Sequence, residues 1–369
     1  MPITLNGDTG IVTPMYNGTI TANAVTPSIN MKNRIINGAM VISQRNGTSS
    51  VTPTNGQYVL DRFQYNLSQT SKITTQQSST APVGFVNSLL VTSSSAYSVT
   101  STDYFTVTQP IEGFNVADLG WGTANAKTVT LSAWVYSSLT GTFGGSIMNG
   151  AFNYAYPFTY SIPTANTWTQ ISVTIAGPTA GTWPTDNSSS VQVNFSLGAG
   201  STRSGTAGSW TGSLLFSATG ATSLVATNGA TFYITGVQLE VGSTATSFDY
   251  RPYGTELALC QRYFVKDLQN AASATFLIGV VASATEADRC GMRFPVTMRT
   301  APTAAVGGTA NPRIYDASVA PAITSIISNT SSSFGASLAL AASGGGLTLG
   351  RVATIIDNNA SFITYSAEL

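Results

Sequence analysis

Residues 231–241 read TFYITGVQLEV, and residues 242–264 continue GSTATSFDYRPYGTELALCQRYF. The first piece has the alternation of a strand, but with a fault in it. Phe232 and Ile234 share one parity, Tyr233, Val237, Leu239 and Val241 share the other, and the change falls at Gly236. A bulge at Gly236 that switches the inward face is the expected cause. Pro252 and Gly254 should end the extended chain, with Thr255 as N-cap of a short helix along which Leu257, Cys260, Gln261 and Phe264 recur at helical spacing. A helix of two or three turns is marginal alone in water, so its apolar side is expected to pack on a neighbouring domain or subunit.

Working back from this strand, 34–253 reads as all-β. Val129, Leu131, Ala133 and Val135 alternate with other residues, as do Ile171, Val173 and Ile175, and then Val191, Val193, Phe195 and Leu197. Asn46-Gly47, Asn55-Gly56, Gly144-Gly145, Gly177-Pro178 and Asn228-Gly229 are expected to turn the chain between strands. No useful helical period interrupts the series, which fits two packed sheets, a jelly-roll-like β-sandwich. Beyond the helix at 254–264, residues 265–369 read as a smaller β domain. In it, Phe276 to Val281 is a compact apolar run, FPVTMRTAPT at 294–303 is a strand punctuated by prolines, and Leu338, Leu340, Leu347 and Leu349 bracket a turn at Ser343-Gly344-Gly345-Gly346. Residues 1–33 hold too few apolar side chains for a core and are expected to be an extended arm, ordered only against partners.

Several of these stretches resemble tail-fibre and fibre-like appendage proteins of tailed bacteriophages. NRIINGAMVISQRNG, YVLDRF, LSAWVYSSLTGTFGG, NTWTQISVTIAG, LGAGSTRSGTAGSW and ATNGATFYITGVQLEVG are similar to successive pieces of a carbohydrate-binding-module-like sandwich in such proteins. ITLNGDTGI near the start resembles the segment that joins these fibres to the tail, and FPVTMRTAPT with YSAEL resembles their C-terminal domain. The resemblance implies a homotrimer in the virion tail. It would be held to a tail or baseplate protein by the arm, have the short helix near a threefold axis, and touch host-surface polysaccharide or lipopolysaccharide with its β domains.

Composition fits an assembly part. Of 369 residues only 8% are charged, against a usual share of about 25%, and fifteen basic side chains balance fifteen acidic ones. A mean hydropathy of +0.15 without a membrane span points to burial between subunits. No basic run suggests a nucleic-acid groove or an anionic membrane surface, and no apolar stretch of about 18 residues could insert in a bilayer. Met1 to Gly10 has no secretory pattern, so synthesis in the host cytoplasm and release by another route, such as lysis, is expected. Cys260 and Cys290 follow no metal-ligand spacing and read as buried thiols.

The absence of histidine removes Ser-His-Asp and Cys-His catalysis and every His-based zinc site, and neither a cofactor nor a metal is expected. Asp61, Asp103, Glu112, Asp118, Asp186, Glu240, Asp249, Glu286 and Asp288 could supply the two carboxylates of a polysaccharide depolymerase. Asp61-Arg62 and Asp249-Tyr250-Arg251, however, read as local salt bridges or turn caps. The enzyme remains an alternative, as does a baseplate, adaptor or capsid-decoration role with no receptor.

Binding is the chemistry left. Saccharides are held by Trp or Tyr rings laid against C–H faces and by neutral hydrogen-bonding groups around them. Trp121, Trp183 and Trp210 sit among Gly, Pro and Thr and are loop candidates for such a platform, whereas Trp134 and Trp168 read as core or sheet-packing residues. Phe152, Tyr154, Tyr156, Phe158 and Tyr160 alternate through AFNYAYPFTYS, which puts five rings on one face; sheet or subunit packing is one use, and an exposed strip offering Tyr154 and Tyr156 is the other. Leu257, Cys260, Gln261 and Phe264 are the oligomer-interface candidates.

Overall fold

The computed structural model describes residues 5–6, 10–11, 31–268, 275–308, 310–358 and 361–369. Met1–Lys32 and Asn33–Leu369 are separate units. In the first, Leu5–Asn6 pairs antiparallel with Gly10–Ile11; residues 1–4, 7–9 and 12–30 of the expected attachment arm lie outside the described residues, and its last residue, Asn33, belongs to the main unit, buried with its side chain bonded to the Val237 carbonyl and the Leu239 N–H.

The chain is all-β in its main unit apart from short helical segments. One sheet of the sandwich orders Ala155–Ile162, Gly141–Asn149, Ser189–Ala199, Tyr104–Glu112, Phe63–Leu67 and Tyr58–Leu60. The other orders Thr169–Ile175, Val129–Ser137, Thr231–Val241, Ser88–Ser93 and Ile73–Ser78. All neighbours within these two sheets run antiparallel, and Val107, Val193, Phe195, Leu131, Val135, Phe232 and Leu239 are buried in one core. Strand Thr231–Val241 carries the expected bulge. Its register against Val129–Ser137 shifts between Thr235 and Gln238, Gly236 has φ +61°, and the inward residues change from Phe232 and Ile234 to Val237 and Leu239.

Two local expectations are corrected. Gly144-Gly145 is no turn but lies inside strand Gly141–Asn149, where the Phe158 ring crosses so closely that a Cβ on Gly145 would lie 2.5 Å from it. FPVTMRTAPT is not one strand: Glu286–Arg293 ends before it and Thr303–Gly307 starts at its last residue.

The helix runs Tyr253–Gln261 with Pro252, not Thr255, at its N-cap, because the Pro252 carbonyl accepts from the Glu256 N–H. Its buried residues are Glu256 and Cys260; Leu257 and Gln261 are half-buried, and Phe264 already belongs to strand Phe264–Leu268. Cys260 is fully buried, and Phe264 is 6% exposed with the Arg45 guanidinium 3.6 Å from its ring centroid, so both are used within the chain and neither is free for a subunit contact.

Beyond the helix, a second core lies between a three-stranded sheet (Phe264–Leu268, Phe362–Ser366, Thr303–Gly307) and a six-stranded one. The latter orders Arg313–Tyr315, Val352–Ile356, Thr275–Ser283, Glu286–Arg293, Gly335–Ala342 and Ile323–Ser331. Both cysteines are free and buried, Cys290 in this core.

Charged groups join the two cores. Arg62, 1% exposed, pairs with Glu368, donates to the Pro110 carbonyl at 2.7 Å and lies 3.6 Å from the Tyr263 ring centroid. Arg45 holds the same carboxylate at 2.8 Å, and Glu112 accepts from Arg262 at 2.5 Å and from the Tyr263 hydroxyl at 2.6 Å. The sequence-local pairs are not formed: Asp61 lies 3.6 Å from Arg45, Asp249 accepts from the Asn33 N–H, and Arg251 pairs with Glu256 at 3.2 Å.

Asp103 anchors one end of the sandwich. Burial acts to raise its pKa, but hydrogen bonds from the Thr100 N–H and hydroxyl, the Ser68 hydroxyl and the Tyr97 hydroxyl together bring it down to about 2. A depressed carboxylate stabilises the fold above its unfolded value near 3.8, and that contribution is lost as the pH falls towards 2. Asp103→Asn should therefore flatten the acid dependence of the unfolding midpoint between about pH 4 and pH 2. Denaturant titrations of both proteins across that range measure it, and parallel curves would refute it.

Candidate functional site

Three loops and one edge strand bring all five proposed platform rings together. Trp121 follows a short 3-10 turn ending at Leu119, Trp183 and Trp210 lie on loops, and Tyr154 and Tyr156 flank the first residue of edge strand Ala155–Ile162. The indole N–H groups fix the loops, Trp121 donating to Lys127 O at 2.8 Å, Trp183 to Ala180 O at 3.0 Å and Trp210 to Ala176 O at 2.7 Å. Each indole contacts the other two edge-on at centroid distances of 4.9 to 5.6 Å. Tyr154 stacks on Trp210 at 5.7 Å and 8°, and Tyr156 leans on it at 5.3 Å. The Asn149 side chain braces the turn, accepting from the N–H groups of Asn153 and Tyr154.

The five rings differ in exposure, and this corrects part of the expected platform. Trp121 and Trp183 are only 7% and 9% exposed, so they form the base of the cluster, packed edge-on against each other and against Trp210. Trp210, Tyr154 and Tyr156 are half-buried and form its rim, beside the exposed Asn153, Thr182 and Ser209. Along the edge strand the alternation runs inwards: Phe158 and Tyr160 enter the core, while Phe152, at φ +57°, sits in the preceding turn. A hollow of about 210 Å³ adjoins the base, lined among others by Val116, Leu119, Trp121, Trp183 and Pro184.

A second aromatic surface was missed by sequence reasoning. Trp134 and Trp168 are not in the core. They are half-buried, and with Val129, Leu131, Ala133 and Val135 turned inwards, strand alternation puts Trp134 and Tyr136 on the outer side of the five-stranded sheet. Tyr136 lies opposite Tyr233 in register, with ring centroids 5.0 Å apart, and 5.4 Å from Trp168. The usable signal was the parity of Tyr233, which is opposite to that of the core residues Phe232 and Ile234. Nearby, Phe85, Val86, Phe248 and Tyr250 border a hollow of about 400 Å³ together with the Arg251–Glu256 ion pair.

Of the nine candidate acids, Glu286 and Asp288 share strand Glu286–Arg293 and the other seven lie on separate elements or loops. Asp61, Glu112 and Asp118 are ion-paired, Asp103, Asp186, Glu240, Asp249 and Asp288 accept hydrogen bonds, and no cluster of three or more potential metal ligands occurs among the described residues.

No protein-family model matches the chain, and no curated protein matches it. Among solved structures, a family 4 carbohydrate-binding module is similar over 56% of this chain and 98% of its own, at 16% identity and a TM-score of 0.29. A putative sugar-binding protein from Bacteroides thetaiotaomicron is similar over 57% of this chain and all of its own, at 13% identity and a TM-score of 0.33. The enzymatically active domain of tailspike protein 4 from bacteriophage CBA120 is similar over 57% of this chain, at 14% identity and a TM-score of 0.32, and this chain spans 22% of its length. What the present chain binds has to be read from its own residues.

Proposed function

We propose that this chain is a non-catalytic part of a tailed-bacteriophage virion, a tail fibre or fibre-like appendage that acts as a homotrimer and adheres to polysaccharide or lipopolysaccharide on the host surface. The phage assignment is supported by the sequence motifs, and attachment to a tail or baseplate protein is assigned to residues 1–33. The observation that carries the binding reading is the rim of Tyr154, Tyr156 and Trp210, held on a buried indole base and bordered by neutral polar side chains. Rings fixed from below lose little freedom when a pyranose stacks on them. Weak sites repeated on identical subunits add through effective concentration, so modest affinity at each can retain a large particle.

Trp210→Ala is expected to weaken binding of purified protein to host-surface glycan by at least about tenfold while the variant stays folded, with a cooperative thermal transition. Glycan arrays and pull-down on intact host cells read this. Unchanged retention of the variant would remove the rim from the binding site, and no retention of the wild type on either would remove the receptor role.

A further inference from the structure

The six-stranded sheet of the second core buries one face and leaves the other open. Leu277, Val281, Ala353 and Ile355 point into the core. Their neighbours point out, with Ile278 62% exposed, Val352 61%, Val280 42% and Tyr315 41%. The register makes these four one patch, because Val280 lies opposite Val352, while Ile278 and Tyr315 flank Thr354 from its two sides. An antiparallel sheet with one face in water usually carries polar residues there. This one carries branched aliphatic side chains and a tyrosine.

Charge around the patch is equally distinctive. In the sandwich and at the junction Arg34, Arg45, Arg62, Arg251 and Arg262 are all ion-paired. On strands of the open sheet, Arg289, Arg293 and Arg313 make no side-chain hydrogen bond or ion pair within the described residues, and Asp288, opposite Val280, accepts only from the next backbone N–H. One face thus presents an apolar centre with unpaired charges of both signs near it.

We infer that this face is the contact surface for a second copy of the same chain. In a threefold assembly each copy meets its two neighbours through different parts of its surface, so a face turned towards the axis, with an apolar centre shared by the three copies and charges of both signs around it, suits that contact. The patch lies on three of the six strands, Arg313–Tyr315, Val352–Ile356 and Thr275–Ser283. The whole face, with strands about 4.8 Å apart, is on the order of 600 Å², so a contact near the roughly 800 Å² per partner of a stable interface would also cover the Ser- and Thr-bearing half of the sheet. The inference rests on the homo-oligomer in the proposed function and assigns its contact to this sheet instead of to the short helix; it is independent of the glycan site.

Light scattering on the full chain tests it. The wild type should have three times the 38.3 kDa mass of one chain, and Ile278→Asp should shift it to a single chain. Val280→Thr, nearly the same shape, should raise the dissociation constant by about tenfold and keeps the test open if the aspartate variant fails to fold. A wild type that stays monomeric up to about 100 μM, where any interface with a micromolar dissociation constant would be formed, would overturn the homo-oligomer itself. An oligomer that both variants leave intact would overturn only this surface.

Discussion

Arg62→Ala should lower the unfolding free energy by about 3–5 kcal/mol. Burial alone would push the Arg62 guanidinium towards neutrality, but the Glu368 carboxylate beside it keeps it charged and raises its pKa instead. Truncation removes that charge together with the bond to Pro110 O and the stack on Tyr263, leaving Glu368, only 8% exposed, with Arg45 alone. The loss is expected to be concentrated at the junction, so the strands around the second core should come away from the sandwich before either core melts. Arg62→Lys keeps the charge but not the planar fork, and should fall between the two. Equilibrium denaturation followed by tryptophan fluorescence and by proteolysis reports both effects. A change below about 1 kcal/mol for Arg62→Ala would mean the charged junction contributes little.

Gly236→Val should cost about 2–5 kcal/mol, from two independent sources. At φ +61° a β-branched residue is strained. In addition, a Cβ there would lie 2.7 Å from the Phe85 ring and 3.1 Å from Trp134. Relief by removing the bulge is closed off, because a one-residue slip would turn Val237 and Leu239 out of the core. Thermal unfolding of Gly236→Ala beside Gly236→Val shows how much of the cost comes from the Cβ and the positive φ, which alanine shares, and how much from the branch that only valine adds. Equal midpoints for wild type and the valine variant would sink the account.

That bulge was legible in the sequence because parity is local: eleven residues suffice to show the inward face changing. The loop position of Trp121, Trp183 and Trp210 was legible for a similar reason, since tryptophans among Gly, Pro and Thr mark loops; that they meet one another and Tyr154 and Tyr156 was not. Depth was not legible. Whether Trp121 lies beneath Trp210 or beside it depends on how loops some 90 residues apart stack, and no short window contains that. The charges illustrate the same limit more sharply. Adjacent Asp61 and Arg62 look like partners, yet consecutive side chains at the end of a strand diverge, and each finds its opposite elsewhere, in Arg45 and Glu368. The helix was located but its sides were misjudged, because its buried side holds Glu256, an acid kept inside by Arg251 and the Asn37 N–H, a pairing invisible to a count of apolar residues.

Arg62 and Glu368 are 306 positions apart. At synthesis rates of about 5–20 residues per second, roughly 15–60 s pass on the ribosome between the appearance of the cation and that of its counter-ion. The sandwich strands have all emerged well before then, so a nascent sandwich must wait with a guanidinium it cannot yet enclose. Joining of the two halves must therefore wait for the synthesis of Glu368, and a product cut short before that residue would carry a buried arginine without its counter-ion.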